Sequence, residues 1–223
     1  MTTSINPQPA DDSEFVVNEE EFLVQVQNLQ YRFNNEPLLE DITFQLKRGE
    51  TLSIMGPSGS GKSTLLRVLA GFLKPLSGHL HVSKSIGTVS QDLRLLPHLN
   101  ALQNIATPLI LRGDTISRSM SKARQMLDDL LLPEIALRPA KFLSQGQAQR
   151  VAFARALVME THLLLLDEPT SALDEENSQL ILTLLKKWLK PTKSILMITH
   201  LKEIADWSDR TLCIREGKLV EEQ

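Results

Sequence analysis

The segment GPSGSGKST, residues 56–64, combines glycines, a lysine and hydroxyl side chains at a spacing suited to holding phosphate. It fits the pattern G-x-x-x-x-G-K-[S/T] and stands between an apolar run and a helical pattern. Glycines let backbone N–H groups converge on phosphate oxygens, and the helix start adds partial positive charge. Lys62 should reach the β- and γ-phosphates of a nucleotide, and the Ser63 hydroxyl should bind Mg²⁺. The predicted phosphate loop comprises Gly56, Pro57, Ser58, Gly59, Ser60, Gly61, Lys62, Ser63 and Thr64.

Two adjacent acids, Asp167 and Glu168, directly follow the apolar residues of the run LLLL. Such a pair, taken alone, is more often the solvated start of a loop. Ligands of open parallel sheets lie beyond the carboxyl ends of the strands, so both acids should point toward the phosphate loop. We therefore expect Asp167 to hold Mg²⁺ through water, with Glu168 beside it.

Strands alternating with helices must position these residues, which indicates an α/β fold. Alternating and apolar runs predict strands over 23–33, 41–50, 51–56, 78–82, 86–91, 163–167 and 194–200, with a terminal hairpin over 210–222. Helical spacing follows the phosphate loop and recurs over 144–160 and 177–189. The block 92–142 is mostly helical, with breaks at prolines and a glycine, and is predicted to be a helical insertion.

Composition limits the class of protein. Of 223 residues, 42% are hydrophobic and 23% charged, and no run approaches the roughly 18 apolar residues of a membrane span. The first 21 residues carry six acids and no Lys or Arg, so we expect a solvated, disordered tail over 1–21 and one domain over 22–223. The remainder is nearly balanced in charge, which argues against a dedicated nucleic-acid binder. The N-terminus does not resemble a secretory signal, so a cytosolic location is expected.

A further helix start, LSQGQAQR at residues 143–150, has Ser144 as its predicted N-cap. In their order, the phosphate loop, LSQGQAQRVAFARAL, LLLLDEPTSALD and ITH resemble the nucleotide-binding subunit of an ATP-binding cassette (ABC) transporter. The resemblance covers roughly residues 22–221. It implies a P-loop NTPase core with a mostly parallel sheet, an N-terminal antiparallel β subdomain and an inserted helical subdomain. It also implies ATP and Mg²⁺ as ligands.

The resemblance assigns roles to residues outside the phosphate loop. Tyr31 matches an aromatic residue that stacks on adenine, and His200 matches a histidine that contacts the γ-phosphate. Gln91 matches a glutamine that contacts the metal or the attacking water and links the site to the membrane partner. Glu168 matches the glutamate that polarises this water. Asp174 ends the segment SALD, which resembles a loop that touches the opposite subunit.

The same resemblance makes LSQGQAQR half of a binding site. Ser144, Gly146 and Gln147 match residues that bind the γ-phosphate of ATP held by the other subunit. Two chains packed head to tail would then enclose two ATP molecules. Gln145 stands where the nearest relatives have glycine, but glutamine adopts helical φ and ψ without strain. We therefore predict a working half-site.

The predicted partners are a polytopic membrane (permease) subunit and a second copy of this chain or a homologous cassette. No nucleic acid is expected, and the location implied is the cytoplasmic face of the inner membrane, peripherally bound. The segment after Gln91 lies where the family docks its membrane subunit. Its apolar residues could form a groove or belong to the helical core: Leu95, Leu96, Pro97, Leu99 and Leu102.

This segment resembles both the lipoprotein-release, macrolide-export and cell-division group and the polar amino-acid importers. Two other functions stay open. One is a soluble cassette ATPase that acts on nucleic acid or ribosomes, although such proteins usually have paired cassettes or long coiled-coil insertions. The other is a weakly hydrolysing regulatory module, for which only Gln145 speaks.

Overall fold

Two sheets and a group of helices make up the fold. The computed structural model describes residues 15–171 and 173–221. The strands within these residues are β1 (Phe22–Phe33), β2 (Glu36–Lys47), β3 (Thr51–Met55), β4 (Ser77–Val82), β5 (Ile86–Val89), β6 (Leu163–Asp167), β7 (Ser194–Ile198), β8 (Arg210–Arg215) and β9 (Lys218–Glu221). The helices are α1 (Lys62–Leu69), α2 (Ala101–Leu111), α3 (Ile116–Asp129), α4 (Gln145–Leu157), α5 (Glu175–Trp188) and α6 (Lys202–Ala205), and Pro133–Ile135 and Ala140–Phe142 form 3₁₀ turns.

The central sheet has the strand order β5-β6-β7-β3-β8-β9. Its first five strands are parallel, and β9 pairs antiparallel with β8. Every residue of β6 and β7 is buried, as expected for parallel strands covered on both faces. Because β3 and β6 run in the same direction with only β7 between them, their carboxyl ends open at one edge. The phosphate loop and the acid pair leave the sheet at that edge, and the predicted α/β core is confirmed.

A smaller antiparallel sheet, in the order β2-β1-β4, forms the predicted N-terminal β subdomain. Its hairpin turns at Asn34 and Asn35, whose φ values of 50° and 67° are those of the tight turns that match strand twist. Leu39 and Ile42 of β2 are buried in one cluster with Ile54 of the central sheet. The two sheets therefore share a core, which brings the end of β1 close to the phosphate loop.

The helical insertion packs into a second core. Ile105 of α2, Leu127 of α3 and Phe153 of α4 are fully buried in one cluster that extends onto β6. α4 begins directly after Ser144, as the sequence predicted, and ends at Leu157 rather than 160. The helical subdomain is therefore joined to the central sheet through α4.

The predicted disordered tail differs from the structure in its second half. Residues 1–14 lie outside the described residues, whereas residues 15–21 are mostly exposed but make hydrogen bonds to the small sheet and to the turn after β2. The Asn18 amide donates to Gln25 Oε1 at 2.7 Å, and the Arg48 guanidinium donates to the Glu19 carbonyl at 2.8 Å. The described domain thus begins before residue 22. Among the described residues, the helices are too short or too polar to cross a membrane.

Candidate functional site

The phosphate loop joins β3 to α1 through glycines with unusual backbone angles. Gly56 has a φ of 149°, and a Cβ placed on it would lie 2.6 Å from the Ile214 carbonyl oxygen. Gly61 caps α1 with a φ of 96°, in the left-handed region that other residues rarely adopt. The loop can therefore turn closely around a ligand only with glycine at these two positions.

Lys62 is the first residue of α1, and its side chain turns back into the loop. Its Nζ donates to the carbonyl oxygens of Gly56 at 2.7 Å and Pro57 at 2.8 Å, and the residue is only 8% exposed. The amine is thereby held at the centre of the loop rather than extended into solvent. This is where a point charge can meet the phosphates that the loop's N–H groups would bind.

Ser63 and Asp167 form the predicted metal-binding pair. Ser63 Oγ donates to Asp167 Oδ1 at 3.1 Å, joining the start of α1 to the end of β6. Asp167 is 5% exposed, and this burial raises its pKa, while the hydrogen bond from Ser63 acts in the opposite direction. A hydroxyl and a carboxylate are the oxygen ligands that Mg²⁺ prefers near phosphates, so the pair fits this ion.

Glu168 sits in a strained backbone position beside Asp167. Its φ is 51°, which is uncommon for a residue other than glycine, and its amide donates to the Ile198 carbonyl at 2.9 Å. One carboxylate oxygen, Oε1, lies 2.8 Å from His200 Nδ1. The other, Oε2, is buried without a hydrogen-bond partner among the described residues. Oε1 is therefore held by His200, whereas Oε2 is enclosed by the protein.

These groups face one open cleft of about 720 Å³. Gln91, Glu168, Ser171 and His200 line the cleft together with the phosphate loop, from which only Ser60 is missing. Asp167 joins it through the hydrogen bond to Ser63. The structure thus brings together the three predicted catalytic residues, the phosphate loop and the metal-binding pair.

The structure places the predicted adenine-stacking residue, Tyr31, outside the lining of the cleft. Tyr31 is partly buried against the core that the two sheets share, and it does not line the cleft. The aromatic residue that lines the cleft is Phe33, the last residue of β1, which is 62% exposed. The sequence signal for Phe33 was an aromatic residue at the end of the predicted strand 23–33. The sequence could not show that the end of β1 lies beside the phosphate loop, which follows β3.

The residues of LSQGQAQR lie away from the cleft. Ser144 and Gln147 form a capping box: Ser144 Oγ accepts from the Gln147 amide at 3.3 Å, and Gln147 Oε1 accepts from the Ser144 amide at 3.1 Å. Gln145, the first residue of α4, and Gly146 follow the cap. None of these four residues lines the cleft. The amides of this helix start therefore face a different surface from the chain's own phosphate loop.

Asp174 caps α5, just beyond the SALD segment. Its Oδ1 accepts from the Asn177 amide at 2.9 Å and from Asn177 Nδ2 at 2.7 Å. These hydrogen bonds lower the pKa of Asp174. Asp174 does not line the cleft either, so within one chain it makes no contact with the phosphate loop's ligand.

The segment after Gln91, which is predicted to dock the membrane subunit, is partly buried and partly exposed. Leu102 is buried in the helical core and Leu95 packs against it, whereas Leu96 and Pro97 are exposed. A shallow groove of about 330 Å³ lies here, with Gln91 and Pro97 in its lining. Of the five apolar residues, Leu95 and Pro97 line the groove, whereas Leu102 belongs to the helical core.

Two side chains of α4 that the sequence reasoning missed hold segments of the site in place. Arg155 donates to the carbonyl oxygens of Leu93 at 2.6 Å and Arg94 at 2.7 Å, just after Gln91. Gln149 donates to the carbonyl oxygen of Pro169 at 2.6 Å. The signal for Gln149 was its spacing of three, four and seven residues from the buried positions 152, 153 and 156.

Comparisons with known proteins identify the family of this chain. The family model described as "ABC transporter" matches residues 39–171. The ABC transporter ATP-binding protein YvrO of Bacillus subtilis (strain 168), itself uncharacterized, is 40% identical over 210 residues, covering 85% of this chain and 91% of its own. The lipoprotein-releasing system ATP-binding protein LolD of Legionella pneumophila (strain Paris) is 39% identical over 201 residues, covering 82% and 88%.

A solved structure gives the same result for the fold and adds the dimer. The post-hydrolysis dimer of the ATP-binding cassette MJ0796, bound to ADP and Pi, superposes with a TM-score of 0.84 at 32% identity, covering 90% of this chain and 97% of that one. The phosphate loop, the acid pair and α4 all lie within residues 39–171, which the family model matches. The chain belongs to the ABC transporter family, as an ATP-binding subunit that hydrolyses ATP.

Proposed function

We propose that two copies of this chain pack head to tail and enclose two ATP molecules, each between one copy's cleft and the other copy's α4. The observation that carries this is the position of Ser144 and Gln147, which form a complete helix cap away from the cleft. The cap occupies the Ser144 and Gln147 amides, and the amides between them, those of Gln145 and Gly146, favour an anion at the positive end of the helix dipole. A nucleotide bound in the partner's cleft supplies that anion.

Each residue of the cleft then has a distinct role in hydrolysis. Lys62 and the loop amides bind the β- and γ-phosphates, and the Glu168 carboxylate accepts a hydrogen bond from the attacking water. His200, held at 2.8 Å from Glu168 Oε1, keeps that carboxylate turned toward the cleft and faces the γ-phosphate. When Mg²⁺ is bound by Ser63, Asp167 and Gln91, it neutralises charge on the phosphate oxygens. Catalysis is thus mainly positioning and electrostatic stabilisation.

Phe33, rather than Tyr31, is proposed to stack on the adenine ring. Its ring is exposed at the end of β1 and borders the same cleft as the phosphate loop. Base stacking needs an exposed aromatic face at the distance of a ribose and phosphates from the loop. Tyr31 is instead packed against the core.

We propose that this ATPase changes the conformation of a polytopic membrane subunit, which docks at the groove beside Gln91 and Pro97. Arg155 fixes the segment between these residues by two carbonyl contacts, so a force applied there reaches the cleft through Gln91. The chain then works at the cytoplasmic face of the membrane as a peripheral subunit. Hydrolysis removes the γ-phosphate contacts that hold the two copies together, and the opening moves the membrane subunit.

The Glu168→Gln variant tests this proposal. We expect hydrolysis to fall by about 100-fold or more, because the amide cannot polarise water as the carboxylate does. ATP should bind with near-unchanged affinity and leave a stable dimer, seen by light scattering in ATP and not in ADP. Lys62→Ala is the matched contrast and should lose ATP binding itself. Hydrolysis at the wild-type rate by Glu168→Gln would contradict the assigned mechanism.

A further inference from the structure

A buried glutamine connects α4 to the backbone of the catalytic segment. Gln149 is 4% exposed, and its Nε2 donates to the Pro169 carbonyl at 2.6 Å and to the Glu168 carbonyl at 3.3 Å. Its Oε1 has no hydrogen-bond partner among the described residues. The side chain therefore acts on this segment as a donor, and it reaches from the helical subdomain to the end of β6.

The backbone that Gln149 holds is the strained one. Glu168 keeps a φ of 51° although it has a side chain, so its conformation must be enforced by neighbours. On one side its amide donates to Ile198 of β7; on the other its carbonyl accepts from Gln149 and from Ser171 Oγ. Of these contacts, only the one from Gln149 comes from the helical subdomain. The direction of the Glu168 carboxylate thus depends on where α4 sits.

Gln149 is also close to the other half-site. It lies five residues after Ser144, about 7.5 Å along one continuous helix. A helix of this length moves as a rigid body, so a displacement of its first turn also displaces Gln149. The first turn carries the residues expected to meet the nucleotide in the partner copy, Ser144 and Gln147.

We propose that Gln149 is a positioning residue that couples the two ATP sites of a dimer. When the first turn of α4 engages the nucleotide of the opposite copy, Gln149 sets the Glu168–Pro169 backbone so that the Glu168 carboxylate aligns in the chain's own cleft. Each site is then competent for hydrolysis only when the other is occupied. This inference rests on the proposed function, specifically on the roles given to Glu168 and Ser144.

A purely structural role for Gln149 makes different predictions. The core around α4 is formed by apolar residues such as Val151 and Phe153, which are fully buried without help from Gln149. If Gln149 only added stability, its loss would lower the melting temperature and leave kcat and the cooperativity of folded protein unchanged. A positioning role lowers kcat and cooperativity while ATP binding stays intact.

The test compares Gln149→Met, which keeps the length and removes the donors, with Gln149→Lys, which restores a donor of similar reach. For Gln149→Met we expect kcat about 10-fold or more below wild type, KM within about 3-fold, and a Hill coefficient for ATP closer to 1. In the Glu168→Gln background it should still form the ATP-dependent dimer. Gln149→Lys should recover at least part of kcat. Gln125→Met, on the exposed face of α3, is the matched control.

Each outcome decides the matter. A folded Gln149→Met variant with wild-type kcat and Hill coefficient overturns the coupling, even if its melting temperature is lower. Should the methionine variant not fold, Gln149→Glu decides alone, because it keeps the shape and removes the amide donors: kcat about 10-fold below wild type with normal KM supports the positioning role, and wild-type kcat overturns it. Glu168→Gln, measured in parallel, separates this inference from the proposed function. If Glu168→Gln keeps full activity, the proposed function itself is wrong.

Discussion

At the scale of single residues, the local motif predicted most of the site because its chemistry is contained in adjacent positions. The phosphate loop needs only the order of its glycines, Lys62 and Ser63, and the structure has these residues around one cleft. The contact of Glu168 with His200 spans 32 residues of sequence and depends on β6 and β7 being neighbours. Without the resemblance to a known family, the sequence could not have predicted that these two side chains lie together.

Gln145 illustrates a residue-scale question that backbone geometry answers. A glycine is required only where φ is positive or where a Cβ would collide. Gln145 is an ordinary first residue of α4, and the cap formed by Ser144 and Gln147 is complete around it. Its side chain therefore does not prevent the amides of this turn from binding an anion, which disfavours a degenerate half-site.

Phe33 and Tyr31 give the residue-scale prediction. We expect Phe33→Ala to weaken ATP binding by roughly 10-fold, because stacking on a base contributes about 1–3 kcal/mol. The measurement is equilibrium titration with ATP in the Glu168→Gln background, where hydrolysis does not interfere. Tyr31→Ala is the matched control and should lower the unfolding midpoint while leaving ATP affinity within about 2-fold. The reverse result, affinity lost with Tyr31→Ala alone, would restore Tyr31 as the stacking residue.

At the scale of elements, runs with a uniform or regular hydrophobic pattern were located well, and irregular runs were not. The run LLLLD was predicted as a strand and is β6, residue for residue. β2 begins at Glu36, earlier than the predicted 41. The prediction missed its first residues because they include Pro37 and do not alternate between apolar and polar side chains. β1 and β2 also pair with several register shifts. Such irregularities come from the packing of two sheets, so a motif could not reveal that Phe33 rather than Tyr31 reaches the cleft.

The N-cap of α5 supports an element-scale prediction with a pH dependence. Hydrogen bonds from Asn177 lower the pKa of Asp174, so its ionised form stabilises the fold, more so beside the positive end of the helix dipole. A lowered folded pKa means that this contribution is full above the unfolded value near 3.9 and is lost as pH falls through the folded value. Asp174→Asn keeps the capping oxygen but removes the charge. Wild type should therefore be more stable than Asp174→Asn at neutral pH, and this advantage should disappear at acidic pH.

Urea unfolding from pH 7 down to about pH 3 measures this difference. The gap between wild type and Asp174→Asn should be constant from neutral pH to about pH 5 and shrink below about pH 4. Asp174→Ala, which loses the acceptor as well, should be less stable than Asp174→Asn throughout the range. A gap between wild type and Asp174→Asn that is the same at both ends of the range would mean that the carboxylate charge does not contribute.

At the scale of the whole molecule, the fold separates the two groups of residues that are expected to contact ATP onto different surfaces. The central sheet presents the phosphate loop and Glu168 at the carboxyl ends of its strands, while α4 presents Ser144 from the helical subdomain. One chain therefore has two incomplete sites. An isologous pairing, in which the same surfaces meet twice, completes both at once.

Complementation between two inactive variants tests this arrangement. Lys62→Ala destroys the cleft of its own chain, and Ser144→Arg blocks the α4 start that serves the partner. Each variant alone should be inactive, although Ser144→Arg should still bind ATP because Ser144 does not line its own cleft. In an equal mixture, random pairing makes half of the dimers mixed, and each mixed dimer has one intact site of two. If the two sites work independently, phosphate release should recover to about a quarter of the wild-type specific activity; if Gln149 couples them, it should stay far below that, while ATP still produces mixed dimers that cross-linking detects. A mixture that shows neither added activity nor ATP-dependent cross-linking of mixed dimers would mean that each chain completes its own site.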